Sequence, residues 1–272
     1  MKNKMNPYDI FNRKKNIKLV LSDAGDILFD SASNINEQKE VLRELFNRNG
    51  IDWCGDNIYN IFKPYKVLSQ TKISMREAIN LFLNDNFINA TYADYCKLIN
   101  ERYNYNKKIK LFKDVTKTLE ILNYKGILFY ILTDATEKGN NLYSKIEKMI
   151  ISQLVERGVY NPYNFNVLNY ISGIISSKDI GVKKPNPKFF NIALKCRNGF
   201  KKIEAVFIAH ESNEIFGAAN LGIDVIALNY WKEKGSIEID KKISEHNIKY
   251  KSNKVNSRIY QVKHFSDISQ IV

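Results

Sequence analysis

The sequence predicts an α/β protein in which a doubly wound parallel sheet carries an inserted all-helical domain. Two observations predict this class. Short apolar segments alternate with helix-like segments in the C-terminal part of the chain, which is typical of parallel strands covered by connecting helices. Between the first apolar segment and the next, residues 33–108 show helical periodicity and no strand-like run. We therefore expect a core built from residues 1–32 and 109–272, with an insert at 33–108.

The first predicted element is a short apolar strand that is followed by an aspartate. Residues 17–22 form the apolar run, Asp23 follows directly, and Gly25 lies in the turn after it. A strand of this kind ends at the edge of a buried sheet. Asp23 is therefore a candidate nucleophile that would be presented to substrate at this edge.

The insert contains several helix signals. Residues 37–48 place apolar side chains on one helical face. Ser74 and Glu77 have the spacing of a capping box at a helix N-terminus, and Thr91 and Asp94 repeat it. These signals predict that the insert is helical throughout.

After the insert, strands and helices alternate. The apolar run at 126–132 is continuous, as expected for a central parallel strand. Residues 232–257 are polar and rich in lysine, and we expect a surface excursion there. The remaining predicted elements are a helix from Asp114, a helix at 138–157, a strand at 170–176, a helix from Asn186-Pro187, a strand at 205–209, a helix at 215–220, a strand at 224–228, and a last strand and helical turn within 260–272.

Composition narrows the classes of partner. No apolar run is long enough to span a bilayer, and three widely separated cysteines favour reduced thiols, so we expect a cytoplasmic protein without a membrane partner. The net charge is +13, but the lysines are dispersed and no nucleic-acid-binding signature is present. A small anionic substrate is therefore favoured over nucleic acid. The sequence carries no signal for an oligomeric state.

Four segments that bear reactive side chains follow predicted strands or precede a predicted helix. They hold Asp23, Thr133, Lys184 and residues 210–214. In open α/β sheets ligands bind at the carboxyl edge of the strands, where these segments would meet.

This set resembles the motifs of the haloacid dehalogenase-like superfamily of aspartate-nucleophile hydrolases, over nearly the whole chain. The four matching segments, in order, are Asp23-Ala-Gly-Asp-Ile-Leu-Phe-Asp30, Ile131-Leu-Thr133-Asp134, Gly181-Val-Lys-Lys184-Pro-Asn-Pro-Lys-Phe189, and 205–222. The resemblance implies a Rossmann-like core, with the helical insert as a cap domain.

The resemblance also implies roles for individual residues. Asp23 would attack the substrate, Thr133 would hydrogen-bond the transferred group, and Lys184 would neutralise charge. Asp134, Gly25 and Asp26 would line the substrate site. A Mg²⁺ cofactor would be held by Asp23, the Gly25 carbonyl, Glu211 and Glu214.

The chain departs from the phosphatase pattern of the family at two positions. Gly25 stands where most phosphatases carry a general acid, and His210 stands where the fourth motif begins with an acid. Asp26 is displaced by one residue from the usual acid, although a tight turn would redirect it.

Three functions follow. The leading prediction is a phosphatase of a small phosphorylated metabolite that forms an aspartyl-phosphate on Asp23. The alternatives are a metal-independent, dehalogenase-like hydrolase and a catalytically impaired binding or regulatory protein with the same fold.

Overall fold

The structure is a computed structural model that describes residues 16–29, 32–103, 110–159, 169–197, 199–228 and 236–272. Within these residues, six parallel strands form one sheet in the order β3-β2-β1-β4-β5-β6. The strands are β1 (Leu19–Ser22), β2 (Leu128–Thr133), β3 (Gly173–Ser176), β4 (Ala205–Ala209), β5 (Asp224–Leu228) and β6 (Ile259–Val262).

The helices fall into two groups. Four lie within residues 32–103, and we call them the helical insert: α1 (Ala32–Arg48), α2 (Gly55–Thr71), α3 (Met75–Asp85) and α4 (Tyr92–Tyr103). The others are α5 (Val115–Tyr124), α6 (Gly139–Glu156), α7 (Ser177–Ile180), α8 (Pro187–Leu194), α9 (Ser212–Asn220), α10 (Ser236–Lys251) and α11 (Ile268–Ile271). The predicted α/β class with a doubly wound parallel sheet is confirmed.

The strand register places the ends of three strands level with one another. Ser22, the last residue of β1, pairs with Ile131 of β2 on one side and with Ile208 of β4 on the other. Each neighbour then ends one or two residues later. The residues that follow these strands therefore emerge together at one edge of the sheet, with β1 in the middle.

Alternate strand residues point into two different hydrophobic clusters. Val20 and Ile208 belong to the cluster on one face of the sheet, with side chains from α5, α6 and α11. Leu19 and Leu21 belong to the cluster on the other face, with side chains from α8, α9 and α10. Because both faces are covered, the strands are apolar along their whole length rather than alternating in polarity.

The helical insert has a hydrophobic cluster of its own. Phe46, Phe62 and Phe82 are almost completely buried in it, and the rings of Phe62 and Phe82 pack edge to face with centroids 5.1 Å apart. Helix α1 begins at Ala32, next to the expected domain boundary at 32/33. The other expected boundary, at 108/109, lies outside the described residues.

The expectation of a polar surface excursion at 232–257 is wrong for its described part. Residues from Ser236 to Lys251 form α10, whose Ile243 is buried against the sheet. Both predicted capping boxes are present, since the Ser74 and Thr91 backbone N–H groups donate to Glu77 and Asp94 carboxylates. In the described part of the chain, no helix combines the length and the apolar character needed to cross a membrane.

Candidate active site

Asp23 lies at the carboxyl end of the central strand β1. Its backbone N–H donates to the carbonyl of Ile208 in β4 at 3.0 Å, and the Ser22 hydroxyl donates to the Asp23 carbonyl at 2.8 Å. These bonds fix the backbone where the chain leaves the sheet. The carboxylate is therefore held at the sheet edge, and its side chain keeps 12% of its surface exposed.

The Lys184 ammonium lies between two carboxylates. Its Nζ is 2.5 Å from Asp23 Oδ1 and 3.0 Å from Glu214 Oε1, and the lysine side chain is buried. Burial acts to lower the pKa of Lys184, but the Asp23 and Glu214 carboxylates outweigh it and raise the pKa above its ordinary value. Lys184 is therefore charged. An ammonium has three donors, so these two hydrogen bonds leave one for a further acceptor.

The segment before α8 positions Lys184. The Lys184–Pro185 peptide bond is cis, and the Lys184 backbone N–H donates to Asp134 Oδ1 at 3.2 Å. Pro185 lies so close to Gly217 of α9 that a Cβ added at Gly217 would be 2.3 Å from Pro185 Cβ. Because the position has no space for a side chain, α9 packs directly against the segment that carries Lys184, and it brings Glu214 with it.

Glu214 is a buried carboxyl in the first turn of α9. Burial raises its pKa to about 8, and the opposing effect of Lys184 is incomplete because the same ammonium also serves Asp23. Glu214 is therefore partly protonated near neutral pH. It holds Lys184 in place more than it adds negative charge.

Thr133 and Asp134 lie at the end of β2. Thr133 is its last residue and is partly exposed. The Asp134 carboxylate accepts from the Lys184 backbone, and its Oδ2 lies 3.7 Å from Lys183 Nζ. Burial raises the pKa of Asp134, against the effect of the two lysines. The end of β2 and the segment before α8 are thus joined through Asp134.

His210 follows β4 and lies between two aspartates. Its Nδ1 is 3.7 Å from Asp23 Oδ2, and its Nε2 is 3.7 Å from Asp26 Oδ2. Nδ1 is buried and has no hydrogen-bond partner among the described residues. Asp26 adopts a left-handed conformation (φ 58°), and its N–H donates to the Phe29 carbonyl. This turn directs the displaced Asp26 carboxylate towards His210, beside Gly25.

The side chains expected to bind Mg²⁺ do not come together as a metal site. Asp23 and Glu214 converge, but both are bonded to Lys184. Glu211 precedes α9 and is exposed. The structure places no group of three or more His, Cys, Asp or Glu side chains where they could hold a metal ion, as far as the described residues extend. Mg²⁺ usually keeps several waters and takes only one or two carboxylates, so Asp23 with the Gly25 carbonyl remains the part of the expected ligand set that would hold it.

One side chain at this edge comes from the helical insert and was not predicted. Gln70, in the last turn of α2, is buried and donates from Nε2 to the Asp134 carbonyl at 2.7 Å. No sequence signal marks it, because glutamine near the end of a helix is ordinarily exposed. The contact depends on how α2 packs against the sheet domain.

Comparison of the sequence with known proteins identifies the family to which the chain belongs. The sequence profile described as haloacid dehalogenase-like hydrolase matches residues 27–228. The match begins just after Asp23, the candidate nucleophile, and after Gly25 and Asp26, where the chain departs from the phosphatase pattern. The chain is also 24% identical, over 226 residues, to a glyceraldehyde 3-phosphate phosphatase of Pyrococcus furiosus, and the match covers 80% of this chain and 83% of that protein.

Two solved structures share the fold. A HAD phosphatase from Thermococcus onnurineus has a TM-score of 0.56 and 19% identity, and a 2-haloacid dehalogenase from Pseudomonas syringae pv. Tomato has a TM-score of 0.56 and 18% identity. Each likeness covers 94% of this chain and 97% of the other. At these identities the likeness is one of fold.

Proposed function

Because the chain belongs to the haloacid dehalogenase-like hydrolases, we propose that it is a phosphatase of small phosphorylated metabolites with Asp23 as nucleophile. The observation that carries the proposal is the buried ammonium of Lys184, 2.5 Å from Asp23 Oδ1. It pairs with the Asp23 side chain and adds positive charge where phosphoryl oxygens would bind. The likeness to a sugar-phosphate phosphatase supports the substrate class.

We propose different roles for the two oxygens of Asp23. Because Lys184 binds Oδ1, Oδ2 would be the oxygen that attacks phosphorus. The new bond from Oδ2 to phosphorus forms as the ester bond to the leaving alcohol breaks, which gives an acyl phosphate on Asp23. Water then attacks this phosphorus, releases inorganic phosphate and restores the carboxylate. Thr133 would donate to a phosphoryl oxygen during both steps.

Two further parts of the proposal concern the insert and the metal. We propose that the helical insert serves as the cap that selects the substrate, since α2 reaches the site edge through Gln70. Members of this family commonly use Mg²⁺. In this chain Asp23 Oδ2, which Lys184 does not contact, and the Gly25 carbonyl would hold Mg²⁺ together with water, so we expect EDTA to lower phosphatase activity.

The test is phosphate release from a panel of phosphoesters by the wild type and by Asp23→Asn. We expect the wild type to be active and Asp23→Asn to lose activity by at least ~10³-fold, because the amide is not a nucleophile. Lys183→Met serves as the matched control, since Lys183 contacts Asp134 and not Asp23. Activity retained in Asp23→Asn would reject this nucleophile.

Gly25 makes the expected activity depend on the leaving group. Without an acid at this position, the leaving alcohol departs without a proton from the first motif, and such assistance is worth roughly 10²–10⁴-fold. Aryl and acyl phosphates should therefore react faster than alkyl phosphates. Equal rates across leaving groups would show that another residue supplies the proton.

The second candidate is metal-independent displacement at carbon. It is favoured by Gly25 and His210, because these residues occupy the two positions at which phosphatases of the family usually carry acids. Its test is chloride release from a 2-chloro carboxylic acid in the presence of EDTA. Chloride release that requires Asp23, without phosphate release from any phosphoester, would replace the phosphatase proposal.

A further inference from the structure

The C-terminal end of α2 is hydrogen-bonded to the sheet domain. The last carbonyls of a helix lack partners within the helix, and in α2 they include those of Ser69 and Gln70. Lys178 Nζ donates to the Ser69 carbonyl at 3.2 Å and also to the Ile73 carbonyl, while Ser177 Oγ donates to the Gln70 carbonyl at 2.9 Å. Both donors belong to α7, so the sheet domain caps this helix of the insert.

The same end of α2 also holds the loop that follows β2. Gln70 Nε2 donates to the Asp134 carbonyl at 2.7 Å, and Ser177 Oγ approaches the Ala135 carbonyl at 3.2 Å. Gln70 is 7% exposed and Ser177 is fully buried. The backbone of this loop is therefore fixed from the side of the insert by groups that water does not reach easily.

From this loop, hydrogen bonds continue to the proposed nucleophile. The Asp134 carboxylate accepts from the Lys184 backbone N–H at 3.2 Å, and the Lys184 ammonium donates to Asp23 Oδ1 at 2.5 Å. Gln70, Asp134, Lys184 and Asp23 therefore form an unbroken series. Its first member lies in the insert and its last at the centre of the sheet edge.

We propose that Gln70 is a positioning residue that aligns Lys184 with Asp23 through Asp134, an inference that rests on the proposed function. Gln70 touches neither substrate nor reacting atoms in this role. A displacement of about 1 Å at a reacting centre costs about 10²-fold in rate, so loss of one remote donor is sufficient to affect catalysis.

The test compares Gln70→Met with Gln38→Met. Methionine keeps the side-chain length and removes the donor. Gln38 lies on α1 and accepts from Lys66 within the insert, so Gln38→Met also loses a hydrogen bond but leaves Asp134 untouched. With an aryl phosphate, we expect Gln70→Met to lose about 10- to 100-fold in kcat. KM should stay within about twofold, and Gln38→Met should match the wild type.

Melting temperatures distinguish a loss of positioning from a loss of folding. Gln70→Met and Gln38→Met should melt at nearly the same temperature, so a lower kcat in Gln70→Met alone does not come from unfolding. Gln70→Glu, which keeps the shape of the side chain but lacks the donor, should show the same loss of kcat. If the wild-type activity requires Asp23 but Gln70→Met has an unchanged kcat, the proposed role of Gln70 is wrong and the proposed function still stands. An equal loss of kcat in Gln38→Met would also overturn it.

A second readout does not depend on activity. Orthovanadate, a phosphate mimic, should raise the melting temperature of the wild type and of Gln38→Met more than that of Gln70→Met. If the wild type releases no phosphate, the proposed function fails. The difference in the melting-temperature shift caused by orthovanadate then tests the role of Gln70 by itself. An equal shift in all three proteins, including no shift, would reject it.

Discussion

At the scale of single residues, the main electrostatic feature of the site is the Lys184 ammonium, which contacts both Asp23 and Glu214. Lys184 is buried between Asp23 and Glu214, and removal of one member of such a group leaves the others without compensation. Asp23 receives the shorter of the two contacts, at 2.5 Å against 3.0 Å for Glu214. Glu214 lies deeper, and burial raises the pKa of its carboxyl to about 8.

Lys184→Met should destabilise the fold by about 3–5 kcal/mol, because it leaves two buried carboxyl groups unpaired. Lys183→Met is the matched control. Its ammonium is one-third exposed and lies 3.7 Å from Asp134, so its loss should cost less than about 1 kcal/mol. Urea unfolding of the two variants measures the difference. Equal losses would show that the buried pair contributes nothing beyond a surface contact.

Glu214→Gln should change how stability depends on pH. The pKa of Glu214 rises from 4.5 to about 8 on folding, so between these values the folded state binds more protons than the unfolded state. Wild-type stability should therefore fall as pH rises through this window, by about 1.4 kcal/mol per unit of pKa shift. Glutamine cannot lose a proton, so the variant should lack this decline.

The measurement is the melting temperature of both proteins between pH 5 and pH 9. Glu211→Gln is the comparison. Glu211 precedes α9, is exposed and makes only a minor contribution to the raised pKa of Glu214, so most of the decline should remain in this variant. Parallel profiles for the wild type and Glu214→Gln would contradict the raised pKa of the buried carboxyl.

At the scale of elements, the site is assembled by close packing between α9 and the segment before α8. Gly217 provides the contact surface for Pro185, and the two elements carry Glu214 and Lys184 respectively. The spacing of the two charged groups is therefore set by a backbone contact. A side chain at 217 would act on the site without touching it.

Gly217→Ala should lower stability by about 1–3 kcal/mol, because its Cβ would lie 2.3 Å from Pro185 and the two elements must separate. Gly55→Ala is the control, since the nearest atom to its Cβ would be the Lys39 carbonyl oxygen at 3.3 Å. Stability by urea unfolding and kcat should both fall in Gly217→Ala. If Gly217→Ala is as stable and as active as the wild type, α9 and the segment that carries Pro185 can separate without loss of stability or activity.

The elements also show what sequence patterns can and cannot predict. Strands β4 and β5 have the predicted bounds, because each is an apolar run between polar turns. Helix α10 was missed since it carries few apolar residues, although Ile243 anchors it to the sheet. The proximity of Asp23 and Lys184 could be predicted, because both segments were expected at the carboxyl edge of the sheet. The contact made by Gln70 could not be predicted, because it is created by packing between segments distant in sequence.

At the scale of the whole molecule, the excess of lysine over acidic residues gives the protein a net charge of +13. A field of this sign raises the local concentration of anionic substrates and is weakened by salt. The charge is spread along the chain rather than gathered in one segment. Its effect should therefore appear in the encounter with substrate.

For an anionic phosphoester, kcat/KM should fall several-fold between about 0.05 M and about 0.5 M NaCl, while kcat changes little. A neutral solute at the same osmolarity is the control and should leave both values unchanged. Initial rates over a range of substrate concentrations provide the measurement. A kcat/KM that does not respond to salt would show that the net charge does not guide the substrate.

The central place of β1 also determines when the sheet can be completed during synthesis. β1 pairs with strands that begin at Leu128 and Ala205, so its two partners are made more than a hundred residues after it. The helical insert needs only residues near it in the chain for its own hydrophobic cluster. Local contacts form faster than distant ones. We therefore expect the nascent chain to fold its insert first, and Asp23 to gain its contacts with Lys184 and Glu214 only when the last third of the protein has emerged.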